Sequence, residues 1–449
     1  ILGVLDMSIN RKFGGWLLWL AAAGGLAVGI AVGPLGVTSA REKSTYPELR
    51  TFTEVLSLVE SNYVNEIEGQ KLIRGAIRGM LNTLDPHTSY MSPEFYKEMQ
   101  VETSGRFGGL GIEITTRGGI LTVVTPIEDT PAYREGVKAG DQIIEIEGKS
   151  TKKLNLQNAV RNLRGRPGTK VTITVFRKGE EQPLKFTITR EVIRIKSVRS
   201  KKLRNGIGYV RIRSFRSTTG REVSTAVKKF EDEKLKGLVL DLRNNPGGLL
   251  SQAVSVSNLF LRSGQLIVYT KGRTENQQNR YTSSEDGFKS KMPVVVLVNP
   301  GSASASEIVA GAIQDLKRAT IMGEKTFGKG SVQTIVPLKD GSGLRLTTAL
   351  YYTPKGRLIQ GKGIEPDIIV LQPVRSSRRR IIRERDLPGH LLNEDEKKGI
   401  KPAKPSDSVP GTTVVEGPDP GKLKDVQLER AIDYLLVNIE AGTKNKAGF

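Results

Sequence analysis

The sequence predicts an α/β protein: a mixed, largely parallel-sheet core, an inserted β-rich domain and an N-terminal helical region. Three observations carry this. Two stretches repeat one plan, an apolar strand, a small-residue turn and a helix: Gly237 to Leu242, Arg243 to Gly248 and Leu249 to Leu261, then Val294 to Val298, Asn299 to Ala303 and a helix opening near Ser304. Such units gather their loops at one edge of a parallel sheet. Between Gly105 and Val192 short β runs replace that plan, and from Tyr46 to Leu84 apolar residues recur at helical spacing. A chain of 449 residues has the length for two or three domains. The expected division is 1–40 as signal or membrane anchor, 41–99 as helical region, 100–192 as the β-rich domain, 193–372 as the core, and 373–449 as charged linker and docking helix.

At the N-terminus, Arg11 and Lys12 precede an uncharged run from Phe13 to Ala40, with Trp16 and Trp19 near its charged end. Positive charge before an apolar span keeps that end in the cytoplasm and sends the rest across. The run ends in Thr38-Ser39-Ala40, small residues that suit cleavage, but its length favours an uncleaved anchor.

Composition narrows the chemistry. With no cysteine, thiol catalysis, thiolate metal sites and disulfides are excluded, and two histidines, His87 and His390, are too few for a histidine-rich metal site. No metal or other cofactor is called for. A net charge of +22 suggests an anionic neighbour such as lipid head groups, cell-wall polymer or nucleic acid. Aromatics at 6% offer no stacking platform, which disfavours nucleic acid.

Tyr46 to Tyr63 and Gln70 to Leu84 read as amphipathic helices, through Phe52, Val55, Leu56 and Val59, then Leu72, Ile73, Ile77, Met80 and Leu81. Asp85-Pro86 breaks the second, and Ser92-Pro93-Glu94 starts another. His87, in the turn between, has no acid placed to orient it and reads as a structural hydrogen-bonder rather than a base.

In the β-rich block, Phe107-Gly108-Gly109-Leu110-Gly111-Ile112 is a glycine-rich turn entering a strand. Strands follow at Leu121 to Val124, Gln142 to Ile146, Val171 to Arg177 and Leu184 to Thr189, with a helix from Leu156 to Leu163. Consecutive N–H groups in such a turn make a nest for a carboxylate. The order of elements, this turn, and Gly140-Asp141-Gln142-Ile143-Ile144 before Ile146-Glu147-Gly148 resemble a circularly permuted PDZ domain of bacterial proteases. The resemblance implies that an extended peptide adds as a strand beside Ile112 to Ile114, its terminal carboxylate held by N–H groups around Gly109, Leu110, Gly111 and Ile112.

In the core, Ile207 to Ile212 reads as a strand and Thr219 to Glu231 as a helix. Ser304 stands where a strand ends and a helix begins, a place that favours negative charge and suits an acyl-transfer nucleophile. Ser304-Ala305-Ser306-Glu307 is equally a capping box. N–H groups of Ala305 and of Gly247 or Gly248 would make an oxyanion hole. A base is still needed. The chain returns through Glu324 to Gln333, and Lys329 is preferred to Lys325 because the returning loop can bring it to Ser304. Lysine titrates at about 10.4 in water and must be neutral to act, so Lys329 has to be desolvated. Gln333 lies on the same side of an extended segment, about 13 Å away between α-carbons, so contact needs leaning side chains or a bulge at Gly330.

Leu84-Asp85-Pro86-His87-Thr88-Ser89-Tyr90, the PDZ-like block, Asp241-Leu242-Arg243-Asn244-Asn245-Pro246-Gly247-Gly248, Gly301 to Glu307, Gly328 to Gln333 and Gly363-Ile364-Glu365-Pro366-Asp367 together resemble the carboxyl-terminal processing peptidases, tail-specific serine proteases of bacteria and chloroplasts. The resemblance runs from about Tyr46 to Leu371. It implies Ser304 as nucleophile, Lys329 as general base, Gln333 orienting the lysine, an oxyanion hole from Ala305 and one of the two glycines, and Arg164 relaying substrate binding to the core. The implied partners are protein substrates with free C-termini, delivered with or without an adaptor, on the periplasmic side of a bacterial inner membrane. A catalytically silent PDZ scaffold and a cell-wall polymer binder are the alternatives.

The tail adds a basic run, Arg375 to Arg385, a flexible linker, Lys401 to Lys422, and an apolar-faced helix, Val426 to Ile439. That helix is expected to dock on this chain or on a second copy, giving a homodimer.

Overall fold

The computed structural model describes residues 46–285, 289–372, 382–400 and 425–444. The expected anchor 1–40, the linker Lys401 to Lys422 and most of the basic run lie outside these. Among the described residues no helix is long and apolar enough to cross a membrane. The chain divides into two units after Leu72. In the first, the helix Tyr46–Asn62 forms at the spacing the sequence predicts but has no buried residue, leaving Leu49, Phe52, Val55 and Leu58 exposed.

The second unit is built on a six-stranded sheet in the order Val198–Lys202, Ile207–Ile212, Gly237–Asp241, Val294–Val298, Thr320–Gly323 and Ile368–Ile369. Its first pair is antiparallel and the others parallel. The unbroken run Val294–Val298 has a physical cause, since both faces of this sheet are covered. Val294, Val296 and Val298 face one core, with Val227, Val256, Ile308 and Ala312 from the helices Thr219–Asp232, Leu250–Asn258 and Ala305–Asp315. Val295 and Leu297 face a second core on the opposite side.

That second face is covered by the C-terminal helix Val426–Lys444, whose Ala431, Ile432 and Leu435 pack against Tyr209, Val239, Val295, Leu297 and Met322. The two docking alternatives therefore resolve: the helix docks on this chain, and its apolar face is occupied there. Arg243 fixes its start, donating to both oxygens of Asp241 (3.0 and 2.8 Å), to both of Asp425 (2.7 Å each) and to Gln427 Oε1 at 3.0 Å.

A second, antiparallel sheet, absent from the sequence reading, joins Ser89–Met91, Gly343–Tyr352, Leu266–Gly272 and Arg280–Thr282, with Ser331–Pro337 also pairing Gly343–Tyr352. It brings the Asp85–Thr88 turn and the Lys329 loop to the same neighbourhood. The β-rich domain has its own core around Leu110, Val123, Ile143, Ile173 and Ile188. Its strands Gln142–Ile146 and Leu184–Thr189 and its helix Leu156–Leu163 have the expected bounds.

Leu435→Ala should lower stability by about 2–5 kcal/mol, because it empties part of a core that no other element fills. A lower urea midpoint checks this, and Leu435→Met should cost less than about 1.5 kcal/mol.

Candidate active site

The two strand-turn-helix units stitch their turns together at the carboxyl edge of the six-stranded sheet. Asn244 N–H donates to Asn299 Oδ1 (2.8 Å), Asn299 Nδ2 to Asn244 Oδ1 (2.9 Å), Ala303 N–H to the Asn245 carbonyl (3.0 Å) and the Ser302 hydroxyl to the Leu242 carbonyl (2.8 Å). Out of this lattice rises Ser304, at φ 54° and ψ −113°. A non-glycine residue in that region is strained, and strain of this kind persists only where surrounding contacts over-determine it. Only the glutamate half of the capping box forms. Glu307 Oε2 accepts the Ser304 N–H at 2.8 Å, while the Glu307 N–H goes to the Ser304 carbonyl at 2.8 Å. The serine hydroxyl makes no capping bond.

Glu307, which the sequence offers only as a cap, is fully buried. Its Oε2 also accepts the Lys329 N–H at 2.9 Å, and its Oε1 accepts the Gly328 N–H at 2.7 Å and the Thr326 hydroxyl. One oxygen thus holds the backbone of Ser304 and the backbone of Lys329, so their nitrogens lie no further apart than those two bonds laid end to end. Burial pushes the Glu307 carboxyl up to about 7, against the donors that pull it down. Because this lies above the ordinary carboxylate value, stability from the group is fullest below that ordinary value and falls as pH rises through about 7.

Lys329 is half-buried, and desolvation lowers its pKa below the ordinary lysine value. Glu384, Asp85 and Glu307 oppose that shift and Arg345 assists it. The competing Lys325 pairs with Glu365 at 2.9 Å. Gln333 Nε2 donates to Ser331 Oγ (2.9 Å) and Thr347 Oγ1 (3.5 Å). The expected bulge at Gly330 is displaced, since the register shift falls between Val332 and Gln333. Lys329 precedes the strand that holds Gln333, so the same-side spacing of an extended segment does not apply.

The glycine turn lies against the serine. A Cβ added to Gly247 would stand 2.9 Å from Ser304 Cβ and 3.0 Å from the Ala305 nitrogen, and its φ of 102° excludes other residues without strain. Gly247 N–H already donates to Asn245 Oδ1 at 2.9 Å. Among the described residues, the N–H groups of Gly248 and Ala305 have no acceptor. Of the two glycines, Gly247 thus lies against the serine with its N–H taken, and Gly248 keeps its N–H without an acceptor.

In the β-rich domain, Gly109, Leu110, Gly111 and Ile112 line a cavity of about 350 Å³ with Phe107, Val160 and Leu163. The N–H groups of Leu110 and Gly111 have no acceptor among the described residues. Gly111, at φ 78°, lies so close over Thr130 that no side chain fits. Arg164 lines the cavity with its guanidinium 4.4 Å above the Phe107 ring.

His87 corrects another expectation, since an acid does face it: Nε2 lies 2.9 and 2.8 Å from the two carboxylate oxygens of Glu384. No local signal marks this pairing, because Glu384 lies 297 positions away in a basic stretch.

Known proteins share this arrangement of parts. Residues 206–370 match peptidase family S41, residues 108–188 match a PDZ domain, and residues 33–95 match the N-terminal domain of the activating protease CtpB. A carboxy-terminal-processing protease of Bartonella bacilliformis is 45% identical over 417 residues, 91% of this chain and 93% of that protein. The chain belongs to this family. It is a serine protease of family S41, a carboxy-terminal processing peptidase with a PDZ domain. The carboxy-terminal processing protease CtpA of Bacillus subtilis is 39% identical, covering 69% of this chain and 66% of that one. Among solved structures, the photosystem II D1 C-terminal processing protease is 32% identical, covering 72% of this chain and 93% of that chain with a TM-score of 0.42.

In this peptidase, Glu307→Gln places an amide NH₂ against donors that need an acceptor. Stability should fall by about 2–4 kcal/mol. A folded remnant should lose about 10²-fold in kcat/KM, because the serine and lysine loops are no longer held in register. Thermal melts and steady-state kinetics check both.

Proposed function

We propose that this peptidase cleaves near the free carboxyl terminus of unfolded or tailed proteins with a Ser304/Lys329 pair. The observation that carries the reading is the single Glu307 oxygen shared by the backbones of Ser304 and Lys329. Ser304 Oγ bonds to the scissile carbonyl carbon as its proton passes to the neutral Lys329 amine. The N–H groups of Gly248 and Ala305 hold the oxyanion. The C–N bond breaks as the lysine returns the proton to the leaving amine, and water, deprotonated by the same lysine, releases the acyl group. Gln333 anchors the strand after the base through Ser331 and Thr347.

The PDZ domain gives the reaction its address. The free N–H groups of Leu110 and Gly111 suit a terminal carboxylate, and the apolar wall of Ile112, Val160 and Leu163 suits the last side chain. Arg164, at the edge of the same cavity, is placed to respond to occupancy. The exposed apolar face of the helix Tyr46–Asn62 supports a homodimer. We infer further that the charge-free run Phe13 to Ala40 tethers the chain to the inner membrane with the protease on the periplasmic side, where an adaptor can deliver substrates.

Ser304→Ala and Lys329→Ala should each abolish cleavage of an unfolded, tailed reporter while leaving the fold and peptide binding intact. Cleavage persisting in either variant overturns the pair. Amidating the reporter's terminus should suppress cleavage by the parent enzyme at least tenfold, about 1.4 kcal/mol of lost recognition; equal cleavage of both forms removes the carboxylate-reading role.

A further inference from the structure

Acyl transfer calls for one neutral amine and two N–H donors, yet Glu384, Asp85 and Glu307 favour the charged form of Lys329 and Arg345 disfavours it. Two of the carboxylates have evident local duties. Glu307 joins the two catalytic loops. Asp85 closes its own turn, accepting the His87 N–H (2.8 Å), the Thr88 N–H (3.0 Å) and the Thr88 hydroxyl (2.6 Å), with Thr347 Oγ1 at 3.1 Å. Arg345 donates to the His87 carbonyl at 3.0 Å.

Glu384 is different. It is fully buried, and its carboxylate is held from two distant parts of the chain, by His87 Nε2 and by Gln360 Nε2 at 2.9 Å. Gln360 Oε1 in turn accepts the N–H of Gly330, the residue after the base, at 2.9 Å. The Glu384 N–H reaches the Phe327 carbonyl at 3.2 Å, and Arg383 Nη1 donates to the carbonyls of Lys325 (2.8 Å) and Thr326 (2.6 Å). Arg383 and the Glu384 N–H therefore grip the loop before Lys329, and Gln360, bonded to the Glu384 carboxylate, grips it after. Gripping alone would be served by a neutral amide, whereas a buried carboxylate carries a desolvation cost. What a carboxylate adds is a charge on a group tied, through Gln360 and the Gly330 N–H, to the residue after Lys329.

We propose that Glu384, held by His87 and Gln360, is a positioning residue of the catalytic base: it fixes the Lys329 loop and couples the protonation of Lys329 to the His87–Glu384 pair. This rests on Lys329 being the base. A negative charge nearby favours the ammonium form and so moves the onset of activity to higher pH. A hydrogen bond from His87 draws part of that charge away and moves the onset back.

The test is the pH profile of kcat/KM on a tailed, unfolded reporter, whose acid limb follows loss of the proton from the free enzyme's base. Glu384→Gln keeps the volume and removes the charge, so the limb should move to lower pH by about one unit. His87→Phe removes the donor and keeps a ring, so the limb should move the other way. Opposite shifts establish the coupling, since a merely structural contact would lower the rate at every pH and leave the limb in place; that outcome overturns the proposal. Should Glu384→Gln fail to fold by circular dichroism, His87→Phe decides alone: an upward shift supports the coupling and an unmoved limb refutes it. Lys329→Ala, assayed alongside, separates the two levels. Activity in that variant sinks the Ser/Lys reading itself, whereas an inactive Lys329→Ala with unmoved limbs sinks only the coupling.

Discussion

One buried carboxylate ties the Ser304 corner to the Lys329 loop, beside the Phe327 N–H that donates to the Ser302 carbonyl at 3.0 Å. Taking a carboxylate out of water costs several kcal/mol, and charge-assisted bonds offset that only when the geometry is good. Glu307 offsets part of that cost with donors on both oxygens: Ser304 and Lys329 on one, Thr326 and Gly328 on the other. Because these donors belong to two loops with a helix and a strand between them, the carboxylate works as a joint. The positive φ of Ser304 accompanies this joint, with its N–H turned toward Glu307.

Lys329, the proposed base, shows the opposite balance. Desolvation favours the neutral amine, while the carboxylates around it favour the ammonium, and the net direction is downward. A lysine in a purely apolar pocket would lose its proton more readily but would have nothing to hold its loop. This loop is instead gripped by charged and amide groups from the Asp85 turn, from Gln360 and from Arg383–Glu384, and basicity is tuned against anchorage.

How much of this was legible in the sequence follows from the range of the interactions. The two-sided burial of Val294–Val298 could be read from an unbroken apolar run, and the strand-helix corner from the small residues around Ser304. The glycines of the Asn245–Gly248 turn announce a backbone site, but which N–H is taken depends on where the Asn245 side chain points. Strand periodicity alone does not relate Gln333 to Lys329, because the strand opens at Ser331, after the lysine. Glu384 carried no signal, because its importance comes from a histidine and a glutamine that only the fold brings to it. The antiparallel sheet was missed for the same reason, as Ser89–Met91 is too short to announce itself and pairs with a strand near Arg345.

The C-terminal helix has a further consequence. Ile432 and Leu435 lie in the back of the central sheet, and Arg243 clamps Asp425 at the helix's start. Were that helix to lift, Val295 and Leu297 would meet water and the turn that begins at Arg243 would lose its outer clamp.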